Sequence, residues 1–97
     1  MRRGRLDPAV ADVRRAVREA LADVEPGETV LVACSGGADS MALAAATAFE
    51  SRAAGWSVAA VVVDHGLQPD SARVGAETAT RLEAMGIARV AVVPVDV

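Results

Sequence analysis

One short string constrains this chain more than any other. Ser35-Gly36-Gly37-Ala38-Asp39-Ser40 follows an apolar run, Val30-Leu31-Val32-Ala33-Cys34, and precedes a helix-forming run, Met41-Ala42-Leu43-Ala44-Ala45-Ala46. Strand, glycine turn and helix in that order gather backbone amides around one point. The paired glycines let the backbone approach an anion closely. The first amides of a helix have no intrahelical partner, and the helix dipole favours negative charge there. The predicted ligand is a phosphate. The competing reading is a tight Gly36-Gly37 turn with Asp39 or Ser40 as an ordinary helix N-cap.

The string is not a Walker loop, which is longer and ends in Lys-Ser or Lys-Thr. The chain contains no lysine at all. A phosphate here would rest on backbone amides and on the hydroxyls of Ser35 and Ser40. Asp39 adds a negative charge beside them. A polyphosphate tolerates that charge when a divalent cation lies between, which points to Mg²⁺.

The rest of the chain frames this loop. Pro8 suits the first position of a helix capped by Asp7. Val10, Val13, Val17, Leu21 and Val24 then recur on one face, with Arg14, Arg15 and Arg18 mostly away from it. Glu25-Pro26-Gly27-Glu28 turns the chain. Residues 29–34 read as a buried strand, and 39–54 as a helix closed by Gly55. Residues 58–63 read as a second strand, apolar on both faces at Val61-Val62-Val63, as in a parallel sheet covered on both sides. Asp64-His65-Gly66-Leu67-Gln68-Pro69 is a loop. Asp70 or Ser71 caps a third helix that turns Val74, Thr78, Leu82 and Met85 to the core and ends at Gly86. Residues 89–95 form a third strand, whose Pro94 places it at an edge or at its own end.

The expected fold class is therefore α/β, a Rossmann-like parallel sheet with helices on both faces, incomplete in this chain. Ligands of such sheets sit beyond the carboxyl ends of the strands. The 35–40 loop and the Asp64-His65-Gly66 loop both lie there, so two loops distant in sequence converge on one site. His65, the single histidine, is a candidate to touch a phosphate or orient a nucleotide; the bland alternative is a loop histidine bonded to backbone. Asp64 suits a turn or cap role equally well.

Bulk properties narrow the class. The chain has 97 residues, enough for one small domain. Apolar residues make up 53%, mostly alanine and valine, which excludes a disordered chain. The apolar runs are too short to span a bilayer, and no apolar segment follows the basic start, so a cytoplasmic protein with no membrane partner is expected. The net charge of −3 argues against a strong nucleic-acid binder acting alone. The arginines at 2, 3, 5, 14, 15 and 18 read as a disordered start and a solvated helix face, or alternatively as contacts to RNA phosphates. Cys34 is the single cysteine, so there is no internal disulfide or Cys-x-x-Cys pair. It reads as a core filler on the strand before the loop.

The 35–40 string resembles the pyrophosphate loop of the N-type ATP pyrophosphatases, the PP-loop superfamily, whose fold is of the adenine nucleotide alpha hydrolase type. These enzymes cleave ATP between its α and β phosphates and adenylate a substrate. The loop alone does not choose among GMP, asparagine and NAD synthetases and tRNA-modifying enzymes. Val62-Val63-Asp64-His65-Gly66-Leu67-Gln68-Pro69-Asp70-Ser71, followed by a helix ending in Met85-Gly86-Ile87, is similar to the matching stretch of tRNA(Ile)-lysidine synthetases.

That resemblance implies adenylation of the wobble cytidine of an isoleucine tRNA and displacement of AMP by the lysine amine. It implies ATP and Mg²⁺ as cofactors, tRNA and lysine as partners, and leaves a homodimer open. It assigns Ser35, Gly36, Gly37, Ala38, Asp39 and Ser40 to the ATP loop, Asp39 and His65 to the reacting centre, and the backbone near Val62 and Val63 to adenine. It also implies that residues 1–97 are the N-terminal part of a single domain, with 1–26 an arm and leading helix and 29–97 a β-α-β-α-β core. The isolated chain is then expected to lack ligase activity. Two other readings stay open: a different N-type pyrophosphatase, such as a tRNA-thiolating enzyme or amidotransferase synthetase, and a truncated nucleotide-binding module without catalysis.

Overall fold

A computed structural model describes residues 8–66 and 69–95. The elements are α1 (Pro8–Ala20), β1 (Thr29–Cys34), α2 (Ala38–Ala54), β2 (Ser57–Asp64), α3 (Ser71–Ala84) and β3 (Arg89–Pro94). The strands form one parallel sheet in the order β1-β2-β3. Cys34 stands opposite Val62, and Asp64 opposite Pro94. β2 thereby runs two residues beyond the end of β1, and the loops that leave them lie at the same end of the sheet. The expected cap Asp7 and the residues Leu67 and Gln68 lie outside the described residues.

Pro94 occupies the edge strand, as its missing N–H requires. Val95 N donates to Asp64 O at 2.8 Å. Amides alternate sides along a strand, so the nitrogen of Pro94 faces away from β2, where no ladder bond is lost.

Both crossovers step in the same direction across the sheet, so right-handed connections put α2 and α3 on one face. The core lies between them and that face. Val32 and Cys34 of β1 and Ala60 and Val62 of β2 meet Met41, Ala44 and Ala48 of α2, Leu82 of α3, and Ile87. The alanine side of α2 lets helix and sheet approach closely. The parallel α/β arrangement is the expected one, incomplete as expected, with α2 and α3 both packed on one face. The odd positions point the other way: Leu31 is 65% exposed, Val93 is 40% exposed, and Val61 and Val63 are half-buried. Among the described residues no strand pairs with the outer edge of β1.

α1 packs on α2, and here the sequence reading needs correction. Val17 is buried, but Val10 is largely exposed, and the helix stops at Ala20, so Val24 is not on it. Val24 O instead accepts from Trp56 Nε1 at 3.2 Å, which pins the turn after α1 to the start of β2. The arginines are not a solvated face. Arg14 Nε and Arg18 Nη1 donate to Glu50 Oε2 of α2 at 2.9 and 3.0 Å. Glu50 is only 7% exposed. The Arg14 guanidinium also stacks over the Phe49 ring, 3.8 Å from its centroid. Only Arg15 behaves as expected, paired with Asp12 on the surface. The Arg14 bond holds the Glu50 carboxyl below the usual glutamate range, with the nearby Arg18 charge adding to it against the opposing effect of burial.

Candidate nucleotide site

The chain leaves β1 at Ser35 and turns through Gly36, whose φ of +94° lies in the left-handed region that side chains disfavour. Gly37 then takes the helix N-cap with an extended backbone, φ −73° and ψ 164°, and α2 begins at Ala38. This overturns the reading of Asp39 or Ser40 as the N-cap. A glycine cap has no side chain to offer, and no side-chain bond caps the helix. Met41 N donates to Gly37 O at 3.0 Å. The amides of Ala38, Asp39 and Ser40 precede it in the first turn and have no intrahelical acceptor. An ordinary helix fills such positions with a Ser, Thr, Asp or Asn cap. Here they face outward at the end of the sheet where ligands bind.

Two hydroxyls hold the turn in shape. Ser40 Oγ donates to Gly37 O at 3.0 Å and accepts from Ser35 N at 3.3 Å. Ser35 Oγ lies 3.3 Å from Ser40 Oγ and accepts from Gly37 N at 3.3 Å. Each serine is thus a strap of the loop itself. The three contacts at 3.3 Å are long for hydrogen bonds, and the Ser40 Oγ–Gly37 O bond is the firm one.

Asp39 is exposed in the first turn of α2, where its charge suits the helix dipole. It borders an apolar groove between α1 and α2 that also touches Arg14 and Phe49. Among the described residues no three His, Cys, Asp or Glu side chains gather to hold a metal. Asp39 is the one carboxylate within the 35–40 loop, and it borders that groove, not the cavity on the other side of the loop.

On the other side of the loop opens a cavity of about 460 Å³. Ser35 lines it from β1, Val62, Val63 and His65 from the end of β2, and Val74 and Thr78 from α3. Of the 35–40 loop only Ser35 lines this cavity, beside Asp64, His65 and Gly66 of the second loop, and His65 is exposed. Asp64 takes the turn role: its Oδ1 accepts from Gly66 N at 2.9 Å, and Gly66 has φ +69°. Cys34 lies under the loop, 2% exposed, and burial pushes its thiol up, so it is a core residue and not a nucleophile.

The α3 contribution was missed in the sequence. Val74 was expected in the core but is 43% exposed, and Gly75 is buried in its place. Asp70 holds the cap position without a side-chain cap bond, because its carboxylate is taken by Arg73 at 2.9 Å. A mid-helix Gly75 three residues before a buried Thr78 was the available signal, since neither residue favours a helix interior.

Residues 10–96 match the family model of the PP-loop domain. The chain belongs to the PP-loop family. Its curated relatives agree on a name. A tRNA(Ile)-lysidine synthase of Salinispora tropica is 55% identical over 92 residues, which is 95% of this chain and 28% of that protein. The enzyme of the same name from Rhodococcus jostii is 53% identical over 91 residues, covering 94% of the chain and 27% of the relative. That from Thermobifida fusca is 53% identical over 79 residues, covering 81% and 24%. This PP-loop chain thus spans little more than a quarter of the length of the first two. Among the described residues no helix is long and apolar enough to cross a membrane.

Proposed function

We propose that this chain supplies the ATP and pyrophosphate site of a tRNA(Ile)-lysidine synthase. The observation that carries the reading is the glycine-capped start of α2, with three first-turn amides free of intrahelical bonds, in a chain more than half identical to proteins of that name.

On this reading the β and γ phosphates of ATP rest on the amides of Ala38, Asp39 and Ser40, and the adenine enters the cavity beside Val62 and Val63. Charge grows on the departing pyrophosphate as the α–β bridge breaks. Amides already aimed at that position stabilise the charge without reorganising. Ser35 and Ser40 keep the loop in shape and can exchange their mutual bonds for phosphate oxygens. Mg²⁺, when bound, supplies further neutralisation of the phosphates, with Asp39 as its protein ligand. His65 at the cavity rim donates to the α phosphate. The activated group is the wobble cytidine of an isoleucine tRNA, and lysine displaces AMP from it. On this reading the tRNA and lysine are met mostly outside this cavity. The protein works in the cytoplasm.

The test is ATP-dependent transfer of labelled lysine to isoleucine tRNA by the native-length gene product. The expected result is incorporation that falls by about 100-fold or more in Ser40→Ala, the scale set by loss of one preorganised group at a developing anion. Pyrophosphate release with a different acceptor and no lysine incorporation would keep the ATP site and overturn the substrate.

A further inference from the structure

We propose that Thr78 is a positioning residue for the phosphate loop, acting through Gly36. This rests on the reading of that loop as a pyrophosphate site. Gly36 and Gly37 together form the most permissive stretch of backbone in the chain, and permissive backbone does not stay aimed. Something must stop it. A side chain at position 36 would place its Cβ 3.1 Å from Thr78 Oγ1 and 3.9 Å from Thr78 Cγ2. Thr78 of α3 therefore bounds the space beside the turn and leaves room there for glycine.

Two further observations make Thr78 a fixed stop. Its Oγ1 donates to Val74 O at 2.9 Å, which locks the rotamer and uses the only proton of the hydroxyl. Thr78 thus works by shape and not by donating to a ligand. The helix that carries it is also seated closely. A Cβ on Gly75 would lie 3.2 Å from Val92 Cγ1 of β3, so the absence of a side chain there lets α3 settle onto the sheet. Leu82, fully buried, anchors the same face one turn further on. Gly75, Thr78 and Leu82 form one stripe that holds α3 at a set depth and Thr78 at a set distance from Gly36.

Thr78 also lines the cavity with Ser35 and Val74. One side chain touches both the base side of the site and the turn that aims the phosphate amides. Its geometry makes pyrophosphate affinity depend on the residue at position 78, though that residue offers no group to the phosphate.

The probe is inorganic pyrophosphate with Mg²⁺, titrated into the native-length gene product below each variant's own unfolding temperature. Thr78→Ala removes the stop, and Thr78→Leu overfills it. Each is expected to weaken binding by about tenfold, and if one does not fold the other decides. Thr78→Ser keeps Oγ1 and is expected to bind as the wild type does. The Gly36→Ala loss is expected to be smaller in the Thr78→Ala background, since contacting residues are not additive. Wild-type affinity in the folded Ala or Leu variant, or additive losses with Gly36→Ala, overturns the positioning role and leaves the ATP reading intact. Failure of the wild type to bind pyrophosphate overturns both.

Discussion

Gly36→Ala is expected to cost the protein at least tenfold in ATP affinity while leaving its fold nearly intact. Two effects add at this position. A φ of +94° is strained for any residue with a Cβ, by about 1–3 kcal/mol. The added methyl also meets Thr78 Oγ1 at 3.1 Å, and that atom is tied to Val74 O. The turn relieves both by rotating, and the amides of Ala38, Asp39 and Ser40 rotate with it. A tenfold loss corresponds to about 1.4 kcal/mol, well inside the strain the loop must absorb. Gly66→Ala is the matched control. Its φ is +69°, and among the described residues nothing lies within 4 Å of the added Cβ. It carries the conformational cost alone, so its effect on ATP affinity is expected to be clearly smaller. Equilibrium binding of ATP with Mg²⁺, beside thermal unfolding of the same samples, separates loop geometry from global stability.

The second large effect lies away from the site. Glu50→Ala is expected to destabilise the protein by about 2–4 kcal/mol, because it removes the shared acceptor of two arginines and leaves the partly buried Arg14 charge without a carboxylate. Arg14 is 21% exposed and Arg18 51%, so Arg14→Ala should cost more than Arg18→Ala. The pH dependence has a definite sign. The folded state holds the Glu50 carboxyl below its unfolded value. The unfolded chain therefore takes up the proton first, and stability falls as the pH falls. The contribution is full above about pH 5 and is lost as the pH drops through the folded value. The gap between wild type and Glu50→Gln should be widest near neutrality and close in acid. Urea unfolding followed by Trp56 fluorescence reads it, since the indole reports on the turn that follows α1.

The sequence and the structure part company for physical reasons. Patterns set by local chemistry were legible: the strand, glycine turn and helix around residues 35–40, the closing Gly55 with its φ of +80°, and the edge position of Pro94. Each follows from the backbone freedom or restriction of one or two residues. The Glu50 network was not legible, because its partners lie 36 and 32 residues away and an isolated glutamate in an alanine-rich helix looks solvent-facing. The exchange of Val74 for Gly75 in the core follows from close helix–strand seating, where a small residue wins over a larger apolar one. A cap at Asp39 or Ser40 was plausible on propensity alone. The structure puts Gly37 there and spends both serines inside the loop. The sheet was expected to be incomplete in this chain, and the described helices α2 and α3 share one face because both crossovers step the same way.

The most direct test of the ATP site is the amide NMR spectrum of the native-length gene product, labelled with ¹⁵N in alanine, glycine and serine, on addition of ATP and Mg²⁺. The account predicts large, saturable shifts at Ala38 and Ser40, with smaller ones at Gly36, Gly37 and Gly66. Saturable shifts confined to other residues, with Ala38 and Ser40 unmoved, would contradict it.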